Sequence, residues 1–212
     1  MIVLALEFSS ERRSVALARN GIVLSEAVEQ TGGRGTNALG LIEQVLADAK
    51  VSRAEVEGLV IGLGPGSYTG VRAAIAVAQG WQLARGVKLL GVGSAEAIAA
   101  QAQAEKIFGR VNVVIDAQRG EFYLAAWEIS PAGWREISPL KIVAGTVVES
   151  LKSTGEICVG PDQEKPTFPP AVQVARLAFG RTDFMAGEKL EPIYLRATNF
   201  VKAPLPPPRS PE

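Results

Sequence analysis

Histidine is absent from the sequence and cysteine occurs only once, and these two facts exclude several kinds of active site. Without histidine the chain has no Ser-His-Asp or Cys-His activation of a nucleophile, no HExxH zinc site and no other His-ligated metal. The single cysteine, Cys158, excludes a disulfide within the chain and is typical of a reducing compartment. Carboxylate chemistry, such as Mg²⁺ held by Asp and Glu, remains available.

An excess of charge of one sign and long hydrophobic runs are also missing. The chain has 22 basic and 22 acidic side chains, so it lacks the basic surface typical of nucleic-acid-binding proteins. Uncharged apolar runs fall short of the ~18 residues that a membrane span needs, and the N-terminal "MIVLALEFSS" lacks the basic start of a signal peptide. We therefore expect a cytoplasmic protein without membrane contact, which would meet any RNA only indirectly.

The first half predicts three antiparallel strands followed by alternating helices and strands. Residues 2–7, "IVLALE", are typical of a buried strand, and Asn20-Gly21 indicates a two-residue hairpin. A helix over 37–49, the strand "GLVIGLG", a helix over 70–85, the strand "KLLGVG" and the helical "SAEAIAAQAQAE" follow. The resulting order, βββαβαβα, is that of a ribonuclease-H-like or actin-like lobe.

The second half begins as a weak repeat of the first. "VNVVIDAQRGEFYLAAWEISPAGW" predicts a strand ending on Asp116, a turn carrying Arg119 and further strand, and only "PPAVQVARLAFG" is predicted to be helical there. We therefore predict an α/β fold of two duplicated lobes with mixed sheets flanked by helices, the second lobe being reduced. The predicted units are a lobe over 1–105, a lobe over 106–200 and a proline-rich, disordered tail over 201–212.

The segment "GLGPGSYTG", residues 62–70, resembles phosphate-binding loops only in part. It has no Gly-Lys-Ser/Thr ending, and its third glycine falls one place early for a dinucleotide fingerprint. The N–H groups at the start of the following helix could attract an anion, but these partial matches favour a sharp strand-to-helix turn. We expect Thr69 to cap that helix and Gly86 to end it.

The helix over 70–85 is apolar around most of its circumference. Its polar residues Arg72, Gln79 and Gln82 fall in one narrow arc, and a helix that packs on one lobe needs only a stripe of apolar residues. One explanation is a helix buried between its sheet and the helix over 37–49. We predict instead that both helices form an interface with a partner protein. The predicted contact residues are Leu39, Ile42, Leu46, Val71, Ala74, Ile75, Ala78 and Trp81.

Glu7 and Asp116 end equivalent strands of the two predicted lobes and could face each other across a cleft. An alternative hypothesis is therefore an actin-like ATPase or small-molecule kinase that uses both carboxylates with Mg²⁺. Because no lysine or glycine cradle lies beside them, bonding of each to nearby backbone N–H groups or to Arg119 is the simpler interpretation. We expect no metal and no cofactor. The candidate vestigial ligand site comprises Glu7, Ser9, Gly64, Gly66, Ser67, Asp116 and Arg119.

Four segments in order, "GLGPGSYTGVRAAIAVAQGWQLA", "LLGVGSAEAIA", "VIDAQRGEFYLA" and "PIYLR", resemble the bacterial TsaB family of the YeaZ type. This family supplies a subunit of the machinery that makes threonylcarbamoyladenosine in tRNA. The resemblance implies the actin-like (ASKHA) two-lobe fold and a subunit without catalytic residues, because catalysis and its metal site belong to the paralogue TsaD. An older peptidase label for the family finds no support in a chain without histidine.

The resemblance also implies partners. TsaB pairs with TsaD through helices of its N-terminal lobe, and a small ATPase, TsaE, joins the heterodimer. Without TsaD we expect a homodimer through the same surface. This sequence departs from the family at Glu7-Phe8-Ser9, where Asp-Thr-Ser or Asp-Thr-Ala is typical, and that departure affects the candidate ligand site rather than the helices.

Overall fold

The computed structural model describes residues 1–30, 35 and 37–196, so the predicted disordered tail lies outside the described residues. Two β-sheets with flanking helices form two lobes. The first sheet contains β1 (Ile2–Glu7), β2 (Arg12–Arg19), β3 (Ile22–Gln30), β4 (Gly58–Gly62) and β5 (Lys88–Val92). The second contains β6 (Gly109–Asp116), β7 (Glu121–Ser130), β8 (Gly133–Ala144) and β9 (Ile157–Val159). The helices are α1 (Ala38–Ala49), α2 (Tyr68–Arg85), α3 (Ser94–Ala104), α4 (Gly145–Ser153) and α5 (Ala171–Leu177).

The two sheets repeat one topology, as the sequence predicts. The strand order is β3-β2-β1-β4-β5 in the first sheet and β8-β7-β6-β9 in the second. In each, three antiparallel strands are followed by a helix and a strand that pairs in parallel with the first. The order βββαβαβα predicted for the first half is confirmed, and so is the actin-like α/β fold.

The second lobe has one helix more than the sequence predicts. We expected helix only in the segment that forms α5, but α4 also lies there, between β8 and β9. The segment does place Val147, Val148 and Leu151 at helical spacing, but its nine residues are fewer than the roughly 10–12 by which a helix is told from a strand in sequence.

Each face of the first sheet is covered by helices. Alternate residues of β1 and β2, such as Leu6 and Leu17, pack under α1 and α2, whereas Ala5 and Ala16 face the opposite side. That opposite side is covered by α5, which follows the second sheet in the chain yet packs on β1 and β2. By packing, α5 therefore belongs with the first lobe, although residues 106–200 were predicted to form the second.

Helix α3 lies between the two lobes. Its Ala97 is part of the core on the far side of the first sheet, whereas Ile98 and Ala102 are part of the core of the second sheet. Among the described residues, no helix has both the length and the apolar character needed to cross a bilayer.

Local signals place most element ends where the sequence predicts them. Asn20 and Gly21 have φ values of 50° and 80°, as a tight hairpin of this kind requires, and Gly86 ends α2 with φ 67°. The predicted cap of α2 is wrong, because Ser67 caps it and not Thr69: Ser67 Oγ accepts a hydrogen bond from the N–H of Gly70 at 3.3 Å. The helix thus begins two residues earlier than expected.

Candidate functional site

The two lobes meet at a cleft with a volume of about 560 Å³. The β1–β2 turn and the loop before α2 form its wall on the first lobe, and the β6–β7 turn and residues 161–168 form its wall on the second. Clefts at lobe junctions are common ligand sites, so this is the place at which a vestigial site is expected. Of the seven predicted ligand residues, four line it: Ser9, Gly66, Ser67 and Asp116.

Glu7 lies beneath the cleft rather than in it. Its side chain is fully buried, and its carboxylate accepts hydrogen bonds from the Ser9 N–H at 2.7 Å and the Ser94 hydroxyl at 2.8 Å. Ser94 Oγ in turn accepts a bond from the N–H of Gly64 at 3.1 Å. Burial raises the pKa of Glu7, and its hydrogen bonds oppose that shift. Glu7 therefore ties the end of β1 to the start of α3.

Asp116 lines the cleft but is engaged by its own turn. Its two carboxylate oxygens accept bonds from the backbone N–H and the side-chain amide of Gln118, both at 2.7 Å. Its backbone N–H donates to Asp162 at 3.1 Å. The interpretation that Asp116 bonds a nearby backbone N–H is borne out, whereas Arg119 is an exposed residue of the turn with φ 61° and does not line the cleft.

The hypothesis of a magnesium-dependent ATPase needs Glu7 and Asp116 to face one another across the cleft. The structure does not bring them together there, because only Asp116 lines it. Within residues 1–30, 35 and 37–196, no cluster of three or more Cys, Asp or Glu side chains has the geometry to hold a metal ion.

Sequence reasoning missed Arg13, a charged residue that is 4% exposed and lines the cleft. Its Nη1 donates to the carbonyl of Gly35 at 2.6 Å, and it lies opposite Glu29 across the β2–β3 pair. Its Nε has no acceptor among the described residues. Burial lowers the pKa of Arg13, and Glu29 opposes that shift. The alternation of β2 was the available signal, since residue 13 shares its inward face with Val15 and Leu17.

The glycines of the loop before α2 are required by packing against the end of β1. A Cβ atom on Gly62 would overlap the Glu7 carboxylate, and one on Gly70 would overlap the carbonyl oxygen of Phe8. Gly66 meets the carbonyl of Ser9 in the same way, and that carbonyl accepts a bond from the Ser67 N–H at 2.6 Å. The glycines thus let the loop and the first turn of α2 lie directly on β1, in agreement with the interpretation as a strand-to-helix turn.

Most of the predicted partner-contact residues lie inside the first lobe. Six of them are at most 6% exposed and belong to the core under α1 and α2: Ile42, Leu46, Val71, Ala74, Ile75 and Ala78. Trp81 is half-buried against the same core. The chain itself therefore covers these side chains, and their assignment as direct contacts is corrected. The five-stranded sheet offers a wider face than we inferred, so both helical stripes fit on it.

An uncharged face of α2 nevertheless remains exposed on the side opposite the core. We call it the outer face and define it by five exposed residues: Thr69, Ala76, Gly80, Leu83 and Ala84. Leu83 is 91% exposed, and a Cβ on Gly80 would meet no atom within 4 Å. On α1, Leu39 is also exposed, at 64%. The apolar surface left over is smaller than predicted, and of the predicted contact residues it keeps Leu39 as an exposed side chain.

Comparison with known proteins gives a consistent set of relatives. A family model described as TsaD, tRNA N6-adenosine threonylcarbamoyltransferase, matches residues 33–152. The tRNA threonylcarbamoyladenosine biosynthesis protein TsaB of Escherichia coli is 28% identical over 219 residues, which cover 92% of this chain and 95% of that protein.

Solved structures from Pseudomonas aeruginosa share the fold over nearly the whole chain. A protein described as similar to peptidase YEAZ has a TM-score of 0.78 and 26% identity, covering 92% of this chain and 99% of that one. A structure described as YeaZ has a TM-score of 0.77 and 24% identity, covering 91% and 100%. The similarity therefore includes both lobes.

Proposed function

Because this chain belongs to the TsaB (YeaZ-type) branch of the TsaD family, we propose that it is a non-catalytic subunit of the apparatus that forms threonylcarbamoyladenosine in tRNA. In this role it binds and activates a TsaD-type transferase, and a TsaE-type ATPase joins the pair. With 22 basic and 22 acidic residues it leaves the tRNA phosphates to its partners.

The chemistry of the cleft supports a subunit that does not catalyse the transfer. The acid at the end of β1, Glu7, is buried away from the cleft, and the oxygens of Asp116 are taken by Gln118. The chain also has no histidine for the metal site that the resemblance assigns to TsaD. Without histidine, the serines that line the cleft also lack the imidazole base of a Ser-His-Asp triad, which argues against peptidase activity.

The observation that carries the proposal is the exposed Gly80 in the C-terminal half of α2. A glycine in a helix interior costs about 1 kcal/mol relative to alanine. Among the residues that the structure describes, no atom lies within 4 Å of a Cβ built on Gly80, so their packing does not require a glycine there. A helix of a partner that crosses α2 closely at this point would require it, because a side chain there would push the two backbones apart.

The partner surface is therefore the outer face of α2, with Leu39 of α1 as a further candidate. Ala76 and Leu83 flank Gly80 on the outer face and present apolar surface to solvent. The buried residues first predicted as contacts, such as Val71 and Ala78, support this face from below. We propose the same surface for the homodimer that forms when the partner is absent, so that the two assemblies exclude each other.

The test compares three substitutions of alanine by arginine in the full-length chain. Ala76→Arg places a charge on the outer face and is expected to abolish co-purification with the TsaD-type subunit while the chain stays folded. Ala104→Arg, at an exposed alanine of α3, is the matched control and should leave the complex intact. Ala78→Arg is expected to unfold the lobe, because Ala78 is fully buried.

Circular dichroism separates loss of fold from loss of binding in these variants, and reconstituted tRNA modification with and without the chain measures activation. A folded Ala76→Arg chain that co-purifies with its partner at the wild-type ratio would overturn the assigned surface. Modification that proceeds equally fast without the chain would overturn the activating role.

A further inference from the structure

Residues 185–196, which we call the strap, run from the edge of the first lobe to the second lobe. The N–H of Met185 donates to the carbonyl of Leu89 on β5 at 2.9 Å. Further along, the N–H of Ile193 donates to the carbonyl of Leu63 at 2.8 Å, at the start of the loop before α2. The strap is thus bonded through its backbone at both ends of its path over the first lobe.

Helix α2 holds the strap through two of its polar side chains. Gln82 Oε1 accepts a bond from the N–H of Gly187 at 2.7 Å, and the Gln79 side chain donates to the Gly187 carbonyl at 2.9 Å. Gly187 is buried, and a Cβ there would lie 3.0 Å from each glutamine. Two of the three residues in the polar arc of α2 therefore bind the strap.

At the mouth of the cleft the strap contacts the first residue of α2. The rings of Tyr194 and Tyr68 meet edge to face, with 5.3 Å between their centroids. Both rings line the cleft. On the helix side, the guanidinium of Arg72 lies 5.2 Å from the centre of the Tyr68 ring. The Tyr68 ring thus contacts both Tyr194 of the strap and Arg72 of α2.

The strap ends on the β6–β7 turn of the second lobe. Arg196 donates from Nη2 to the carbonyls of Ala117 at 3.0 Å and Gln118 at 3.3 Å, and it forms an ion pair with Glu121. This turn includes Asp116 and Gln118, which line the cleft. Its residues Gln118 and Arg119 have positive φ, so the turn gains from an external restraint. Arg196 supplies that restraint, and the strap that carries it is bonded to the first lobe.

We infer that the strap couples α2 to the interlobe cleft, with Arg196 and Tyr194 as the transmitting residues. A movement of the β6–β7 turn reaches Tyr68 through Arg196 and Tyr194, and a movement of α2 reaches the turn by the same contacts. Coupling of this kind is reciprocal, so an event at α2 and an event at the cleft each change the free energy of the other. The inference deepens the proposed function by assigning its regulation, and it depends on that function only for the identity of the partner at α2.

Hydrogen exchange in the free, full-length chain tests the coupling directly. Arg196→Ala removes the contacts to the turn and is expected to speed exchange about fivefold or more both at 117–121 and in the first turn of α2, at 68–71. Arg110→Ala is the matched control, because Arg110 pairs with Glu156 at 3.6 Å entirely within the second lobe. Faster exchange at 117–121 with unchanged exchange at 68–71 would overturn the inference.

Tyr194→Ala guards against a general loss of stability. It leaves Arg196 in place and removes the ring contact with Tyr68, along with the proximity of Tyr194 to Tyr123 on β7. Exchange at 68–71 should therefore rise while amides of β8 and β9 keep their wild-type rates. If Arg196→Ala speeds exchange throughout the chain, the result for Tyr194→Ala is used to judge the coupling. Unchanged exchange at 68–71 in Tyr194→Ala contradicts it.

Adding the TsaD-type subunit distinguishes failure of the coupling from failure of the proposed function. In the wild type, protection of α2 should be accompanied by slower exchange at 117–121, and in Tyr194→Ala the second effect should disappear. Protection of α2 without any change at 117–121 refutes the coupling and leaves the function standing. If no complex forms, the proposed function fails, and the free-chain comparison alone decides the coupling.

Discussion

The carboxylate of Glu7 shows at the residue scale how position within a lobe decides what a group can do. It ends the same kind of strand as Asp116, yet it is fully buried and bonded to Ser9 and Ser94, whereas Asp116 reaches the cleft. Burial raises the pKa of Glu7 above its ordinary value of 4.5. When folding raises the pKa of an acid, the protonated acid stabilises the folded state more than the ionised acid does.

This shift predicts a dependence of stability on pH. The contribution of Glu7 is fully present below about pH 4.5 and is lost as the pH rises through the higher pKa of the folded state. Glu7→Gln removes the titration, so the wild type should lose stability relative to this variant as the pH rises from 4.5. Urea unfolding between pH 4 and 8 measures the difference, with the exposed Glu149→Gln as control. A difference that stays constant with pH would contradict the assignment.

Removal of the Glu7 carboxyl group is expected to be most costly below about pH 4.5, where its contribution to stability is fully present. Glu7→Ala leaves the N–H of Ser9 without its acceptor, and because Glu7 is fully buried against Gly62 it also opens a cavity there. An unsatisfied buried group costs about 1–3 kcal/mol, and chemical denaturation should show a loss of at least that size. Exchange of the Ser9 amide should rise with it, and a fully stable Glu7→Ala chain would show that the hydrogen bonds carry no weight.

At the scale of the element, α2 has three faces with different tasks. Its inner face packs on the first sheet, its polar arc includes the two glutamines that bind Gly187, and its outer face is uncharged and exposed. The sequence separates the polar arc from the remainder but not the inner face from the outer one, because both consist of apolar and small residues. Composition alone therefore cannot say which side a sheet covers.

Two glycines of this helix should respond in opposite directions to one substitution. Gly70→Ala forces a methyl group onto the carbonyl of Phe8, and such overpacking costs about 1–3 kcal/mol. Gly80→Ala meets open space and should raise the free energy of unfolding by about 1 kcal/mol. Denaturant unfolding of the two variants checks both signs, each serving as the control for the other. Equal effects would refute the steric account of the loop.

Most elements could be predicted because their signals are local. The hairpin at Asn20-Gly21 and the end of α2 at Gly86 follow from backbone conformations that few residues adopt. Helix α4 was missed because its nine residues, with Val147, Val148 and Leu151 as the apolar positions, are too few for the sequence pattern to distinguish a helix from a strand. Within the site, the repeated lobes predicted that Ser9, Ser67 and Asp116 lie together. They did not predict that Glu7 lies beneath the cleft, because β1 is buried on both faces and the alternation of its residues does not distinguish the two.

At the scale of the whole molecule the lobes are interlocked rather than joined end to end. Helix α3 contributes to the cores of both sheets, and α5 returns from the second lobe to cover the first. The strap then crosses back to the second lobe through Arg196. A boundary near residue 105 leaves one sheet on each side of it and separates the first sheet from α5, which covers one of its faces.

A fragment of residues 1–105 should therefore fail to fold by itself. Without α5, the face of the first sheet that carries Ala5, Ala16 and Ala18 stays open to water. We expect the fragment to lack a cooperative thermal transition and to be degraded rapidly by protease, whereas the full chain under the same conditions shows one transition. Circular dichroism and limited proteolysis measure both, and a fragment that melts cooperatively would show that the lobes are independent.

Steric clearance, rather than reactivity, dictates Gly62, Gly66 and Gly70, since each lies where a side chain would strike the end of β1. Because this requirement comes from packing, we expect these glycines wherever the loop lies on the end of β1 in this way, whether or not the protein is an enzyme. Similarity between two proteins at Gly62, Gly66 and Gly70 therefore indicates a shared fold rather than a shared activity. Residues responsible for an activity must be sought at positions that the fold does not fix.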